Sequence, residues 1–140
     1  MSIDSTPISN FMVRKVFTAT VDQTIESVCK KMYEKNVGCL IIVKRELKGL
    51  VPVGIITERD IVKIIGSSEV FIVQASIREY MSYPLITGNP TTPISQAIKI
   101  MNGNKVRRLP IVENEKGGDK LVGIISVKDI LRVIEKAEKG

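Results

Sequence analysis

The sequence has no histidine and no tryptophan, and aromatic residues make up only 4% of it. Without histidine there is no Ser-His-Asp or Cys-His catalytic set, no His-ligated metal and no imidazole pH switch. Scarce aromatics count against proteins that hold single-stranded nucleic acid by stacking its bases. The two cysteines, Cys29 and Cys39, form no CxxC pair and have no further soft ligand, which excludes a structural zinc site. Set among apolar neighbours, they read as buried, reduced thiols that pack as small hydrophobes. Long apolar runs are also missing. Leu40-Ile41-Ile42-Val43 is far too short to cross a bilayer, and Met1-Ser2-Ile3-Asp4-Ser5 lacks the basic and apolar regions of a signal peptide. A cytoplasmic protein with no membrane partner is expected.

The composition that remains suits a globular fold. Hydrophobic residues make up 44% and charged residues 26% of 140 residues, enough for one domain-sized core. Lys and Arg total 21 against 15 Asp and Glu, a net charge of +6, so the surface favours anions such as nucleotides, nucleic acid or acidic lipid.

The dominant signal is an internal duplication. Val53-Gly54-Ile55-Ile56-Thr57-Glu58-Arg59-Asp60-Ile61 returns 69 residues later as Val122-Gly123-Ile124-Ile125-Ser126-Val127-Lys128-Asp129-Ile130. The same offset pairs Ile8 with Ile77, Met12 with Met81, Ile25 with Ile94, Met32 with Met101 and Leu40 with Leu109. Two units of about 60 residues each would be marginal alone, so a face-to-face pair about a pseudo-twofold axis is expected. The expected division is 1–66 for the first repeat, 67–76 for a linker and 77–140 for the second repeat.

Each repeat parses alike. Short helical turns at Ile8 to Val13 and Ile77 to Ser82 precede brief extended stretches at Phe17 to Val21 and Leu85 to Thr87. A helix follows in each. Ile25, Val28, Cys29 and Met32 form one apolar stripe, with Asp22 or Thr24 as its cap; Ile94, Ala97, Ile98 and Met101 form the other, after Pro93 and ending at Gly103-Asn104. Strands at Cys39 to Val43 and Leu109 to Val112, polar turns at Lys44 to Lys48 and Glu113 to Asp119, and strands at Val53 to Ile56 and Val122 to Ile125 make hairpins. Closing helices start near Glu58 and Val127. The predicted fold is therefore mixed α/β (α+β), two β-α-β-β-α repeats.

The repeated motif places a hydroxyl at a strand end and an acid three residues on, at a helix start. Thr57 with Asp60, and Ser126 with Asp129, fit capping boxes. They also fit an anion site: the hydroxyl and free backbone N–H groups hold phosphate, and the carboxylate accepts from a ribose diol. Arg59 and Lys128 place a cation beside each acid, and Gly54 and Gly123 admit a ligand or backbone closely.

This doubled Gly-Ile-Ile-Thr/Ser-x-x-Asp-Ile pattern resembles the tandem cystathionine-β-synthase (CBS) domain pair over nearly the whole chain. The resemblance implies a non-enzymatic module with two clefts for adenosine ligands, AMP, ADP, ATP, NAD or S-adenosylmethionine, with no catalytic residues and no metal. It further implies a homodimer that signals ligand to a partner protein. It assigns Asp60 and Asp129 to ribose, Thr57 and Ser126 to phosphate, and Thr18-Ala19 and Thr87-Gly88 to base or phosphate. Gly38-Cys39-Leu40 and Arg108-Leu109-Pro110 then line the base. Arg107 and Arg108 stand where basic residues reach phosphate from the neighbouring copy, whereas Gly38 and Cys39 hold the matching places in the first repeat; unequal clefts are expected, the tighter holding ribose on Asp60 and phosphate near Thr57, Arg59 and Arg108. Lys128, Arg132 and Lys136 form a basic stripe read as an exposed helix face. Two alternatives stand beside the sensor: a nucleic-acid-binding protein using the basic surface, disfavoured because its cations are scattered, and a dimer scaffold with empty clefts in which the acids only cap helices.

Overall fold

The computed structural model describes residues 3–47, 49–67, 72–115 and 118–139. Its α/β elements divide into two compact units, Phe17–Leu85 and a second made of Met1–Val16 with Ile86–Gly140. Residue 48 of the first expected polar turn, residues 68–71 of the expected linker and residues 116–117 of the second expected polar turn lie outside the described residues.

In the Phe17–Leu85 unit, β1 (Thr18–Thr20) leads to α1 (Ile25–Lys35), the hairpin β2 (Cys39–Glu46) and β3 (Gly49–Thr57), and α2 (Glu58–Ser67). The sheet order is β1-β2-β3, with β1 parallel to β2 and β3 antiparallel to it. Helix α1 starts because the Thr24 hydroxyl accepts the Ser27 N–H at 3.1 Å, a cap contributing about 1 kcal/mol. It stops at Asn36, which adopts a left-handed φ of 53°. Its buried face, Ile25, Val28 and Met32, packs with Leu40, Ile42, Ile56 and Ile77; Cys29 is half-buried rather than enclosed.

The other unit contains α3 (Ile94–Asn104), β4 (Arg108–Glu115), β5 (Gly118–Ser126) and α4 (Val127–Lys139). Helix α3 ends at the expected Gly103-Asn104, with Lys105 as its left-handed C-cap at φ 55°. Ile94, Ala97 and Met101 are buried, but Ile98, expected in the same stripe, is 40% exposed. The expected strand at Leu85 to Thr87 shrinks to a single parallel bridge between Gly88 and Ile111. Proline explains the loss. In the first unit the Ile41 N–H donates to the Phe17 carbonyl at 3.1 Å. The matching position, 69 residues on, is Pro110, which has no N–H to give.

Both hairpins are longer than expected. The strands run through the polar stretches to pair Glu46 with Gly49 and Glu115 with Gly118. The same bulge interrupts each, between Ile42 and Val43 and between Ile111 and Val112.

The compact units do not follow the 1–66, 67–76, 77–140 division. The segment that begins each repeat completes the other repeat's unit. Pro7 bridges Pro93 and Val13 bridges Ile124, while Ser76 bridges Thr24 and Ser82 bridges Ile55. Ile8 and Met12 therefore lie in the core with Ile94, Leu109, Ile111 and Ile125, and Ile77 lies with Ile25, Leu40 and Ile56. The glycines make this exchange sterically feasible. A Cβ at Gly54 would sit 2.8 Å from both Met81 Sδ and the Ser82 carbonyl oxygen; at Gly123 it would sit 2.6 Å from Met12 Sδ. It is the chain's own returning segment that approaches both glycines. Gly54→Ala should destabilise the protein by about 1–3 kcal/mol, read as a lowered denaturation midpoint; an unchanged midpoint would show that the Met81–Ser82 segment moves aside freely. Among the described residues no helix is long and apolar enough to cross a membrane.

Candidate functional site

The duplicated motif folds as a pair of reciprocal caps. Thr57 N–H donates to Asp60 Oδ2 at 2.9 Å, and Asp60 N–H donates to Thr57 Oγ1 at 3.2 Å. In the other unit Ser126 N–H donates to Asp129 Oδ2 at 2.9 Å and Asp129 N–H to Ser126 Oγ at 3.2 Å. Each arrangement satisfies backbone donors that a helix start leaves open. The first residue of each helix is tied to the residue just before its hairpin's first strand: Glu58 N–H donates to the Gly38 carbonyl at 3.0 Å, and Val127 N–H to that of Arg107 at 2.9 Å.

These bonds gather the expected residues into two similar sets. In the Phe17–Leu85 unit, Cys39 lies directly opposite Thr57 across the β2–β3 ladder, with Gly38, Arg59 and Asp60 around the same end. Thr18 and Ala19 stand on the adjoining strand, paired with Ile41 and Ile42. In the other unit Arg108 lies opposite Ser126, with Arg107, Lys128 and Asp129 at that end; Thr87 precedes the Gly88 bridge. The side chains of Leu40 and Leu109 are fully buried, and Ala19 is 2% exposed. Pro110 is buried too. The Leu40, Leu109 and Ala19 side chains fill cores, and Pro110, next to Leu109, is turned to the opposite face of its strand.

The two sets differ where a ligand would be held. Asp60 spends one oxygen, Oδ2, on its cap; Oδ1 has no hydrogen-bond partner among the described residues. Asp129 is more heavily committed: Oδ2 also accepts from the Ser126 hydroxyl at 3.0 Å, and Oδ1 lies 3.4 Å from Arg132 Nη1. Arg59 and Lys128 are exposed. Arg107 and Arg108 make no ion pair among the described residues.

From sequence alone Arg132 reads only as part of an exposed stripe. Its spacing of three from Asp129 on one helix was the available signal for the contact. Nothing in the sequence singles out Lys31, whose ammonium donates to the Thr18 carbonyl and so fixes the start of β1. The matching residue in the other unit is Ile100, which cannot do the same. Neither Cys29 nor Cys39 is disulfide-bonded, and burial pushes the Cys29 thiol up, so it stays protonated at neutral pH. No group of three or more metal-ligating side chains occurs among the described residues.

A model of the CBS domain matches the chain twice, at residues 8–67 and 77–136. The chain belongs to the CBS domain family. Its two matched CBS repeats are the duplicated units of the sequence. An uncharacterized protein of Methanopyrus kandleri, MK0525, is 36% identical over 120 residues, 86% of this chain and 58% of that protein. An uncharacterized 17.7 kDa protein of Acidianus ambivalens is 32% identical over 130 residues, 93% of this chain and 74% of that one. The CBS chain thus spans little more than half the length of the first relative. Among solved structures, the CBS domain pair of protein MJ0100, in complex with 5′-methylthioadenosine and S-adenosyl-L-methionine, superposes with a TM-score of 0.79. It is 25% identical, and the match covers 94% of this chain and 98% of that one.

Proposed function

We propose that this CBS protein is a regulatory module that binds an adenosine-bearing ligand, an adenine nucleotide foremost, and catalyses no reaction. The observation that carries the proposal is the open oxygen of Asp60. Its carboxylate is oriented by the cap through Oδ2, while Oδ1 remains available to accept from a ribose hydroxyl. Arg59 stands one residue away as a phosphate partner. The MJ0100 pair, with its two adenosine compounds, supports this class of ligand.

In this reading Thr57, Arg59 and Asp60 hold ribose and phosphate, and Thr18, Gly38 and Cys39 border the base. Arg107 and Arg108 supply further phosphate contacts in the second set, where Thr87, Ser126, Lys128 and Asp129 repeat the arrangement. Ligand acts by population shift: it stabilises the conformation that holds it, and a partner protein reads that conformation. Exposed Tyr33 and Val62, the first of them 89% accessible, give a homodimer apolar surface to cover.

A thermal-shift series with AMP, ADP, ATP, NAD and S-adenosylmethionine tests the proposal. Ligand at a hundred times its dissociation constant should stabilise the protein by about 2.7 kcal/mol. No shift with any of the five at millimolar concentration would overturn the sensor and leave a scaffold whose acids only cap helices.

A further inference from the structure

At the far end of the β2–β3 hairpin from Asp60 lies a second polar depression, of about 320 Å³, that the motif does not account for. Thr20, Val21, Asp22, Lys44, Arg45 and Arg78 line it. Five strand positions separate Lys44 from Cys39, about 16 Å along β2. We propose that this depression is a binding site for a compact phosphate anion, distinct from the Thr57–Asp60 set and independent of the nucleotide reading.

Charge is the first support. Three cations and one carboxylate line the depression. Arg45 and Arg78 make no ion pair within 4.0 Å among the described residues, and Lys44 has only a loose contact with Glu46 at 3.8 Å. The Thr20 hydroxyl donates to Asp22 Oδ1 at 2.5 Å, and this bond, with the charges of Arg78 and Arg45, holds the Asp22 carboxyl below its usual range. Arg45 and Arg78 line the same depression. Guanidinium forks match phosphate oxygens in pairs, which suits a tetrahedral anion better than a single halide.

The second support is that duplication does not explain the cluster. The offset of 69 places Glu113 and Asn114 opposite Lys44 and Arg45, and Ser9 opposite Arg78. Thr91 stands opposite Asp22. The other unit repeats the fold at these positions without any of the three cations. The basic set belongs to one unit only, brought together by the returning segment that carries Arg78 onto the sheet carrying Lys44 and Arg45.

Inorganic pyrophosphate is the probe. Titrated at constant ionic strength, it should shift the amide resonances of Val21, Asp22, Lys44, Arg45 and Arg78 to saturation. Adenosine, which carries no phosphate, should leave them in place while testing Asp60 separately. Arg45→Glu and Arg78→Glu should each weaken pyrophosphate binding by roughly tenfold or more. Asp22→Asn should tighten it severalfold by removing the internal competitor. Shifts that chloride reproduces, or an affinity indifferent to both arginine reversals, would overturn the proposal. If a reversed variant fails to fold, Asp22→Asn decides, and unchanged or weaker binding there counts against the site. Vesicles containing phosphatidic acid form the last arm. Binding to them without binding of free pyrophosphate would overturn a small-anion site in favour of a membrane surface.

Discussion

Truncating Ile8 to alanine should cost about 2–5 kcal/mol of stability, and the damage should fall on the unit that carries the second repeat. Ile8 is fully buried among Ile94, Leu109, Ile111 and Ile125. Its N–H donates to the Thr92 carbonyl at 2.8 Å, and the neighbouring Thr6 carbonyl accepts from Ile94 at 2.9 Å. Alanine would leave a cavity that this backbone network keeps from collapsing. Urea denaturation gives the magnitude, and amide hydrogen exchange gives the place. Lost protection should concentrate in α3, β4 and β5. Loss centred instead on Leu40 and Ile56 would mean that the first segment stabilises its own repeat. Ile77→Ala is the mirror experiment, with α1, β2 and β3 as the elements affected, because Ile77 N–H donates to the Gln23 carbonyl and its side chain fills the other core.

That exchange marks the boundary of what the sequence makes legible. Apolar periodicity shows that Ile8, Met12, Ile77 and Met81 are core residues, since burial is a property of a side chain and its neighbours in the chain. Which core each fills is a property of topology, and two repeats with matching residues offer each segment two similar sockets. The length of the hairpins is hidden for another reason. Lys44, Arg45 and Glu46 are polar because this part of the hairpin is exposed, and a polar run without burial reads as a turn. Pro110 was the readable clue to the missing strand, because an absent N–H is a fact of the residue itself. The Thr57–Asp60 and Ser126–Asp129 pairs were legible as local spacing, and the caps form as that spacing predicts. The unequal use of the two acids was not, because it depends on where one arginine side chain lies.

Replacing Asp60 with alanine separates the cap from the ligand contact. The cap alone is worth about 1 kcal/mol of folding stability. A charged acceptor lost from a ribose should cost a further 1.5–3 kcal/mol of binding, roughly ten- to a hundredfold in affinity. Asp60→Asn is the finer variant: its amide oxygen can still accept the Thr57 N–H, so it should melt close to the parent while binding adenine nucleotide weakly. Asp129→Ala should lose a cap of similar size but less binding, because Asp129 Oδ1 already faces Arg132 at 3.4 Å and any ligand there must displace that contact. Titration calorimetry with ADP and thermal denaturation, run on the same three variants, give both numbers for each acid. Normal binding with early melting in both alanine variants would reduce the acids to helix caps. Equal binding losses at the two positions would mean that Arg132 yields without cost, as an exposed ion pair worth well under about 1 kcal/mol would allow.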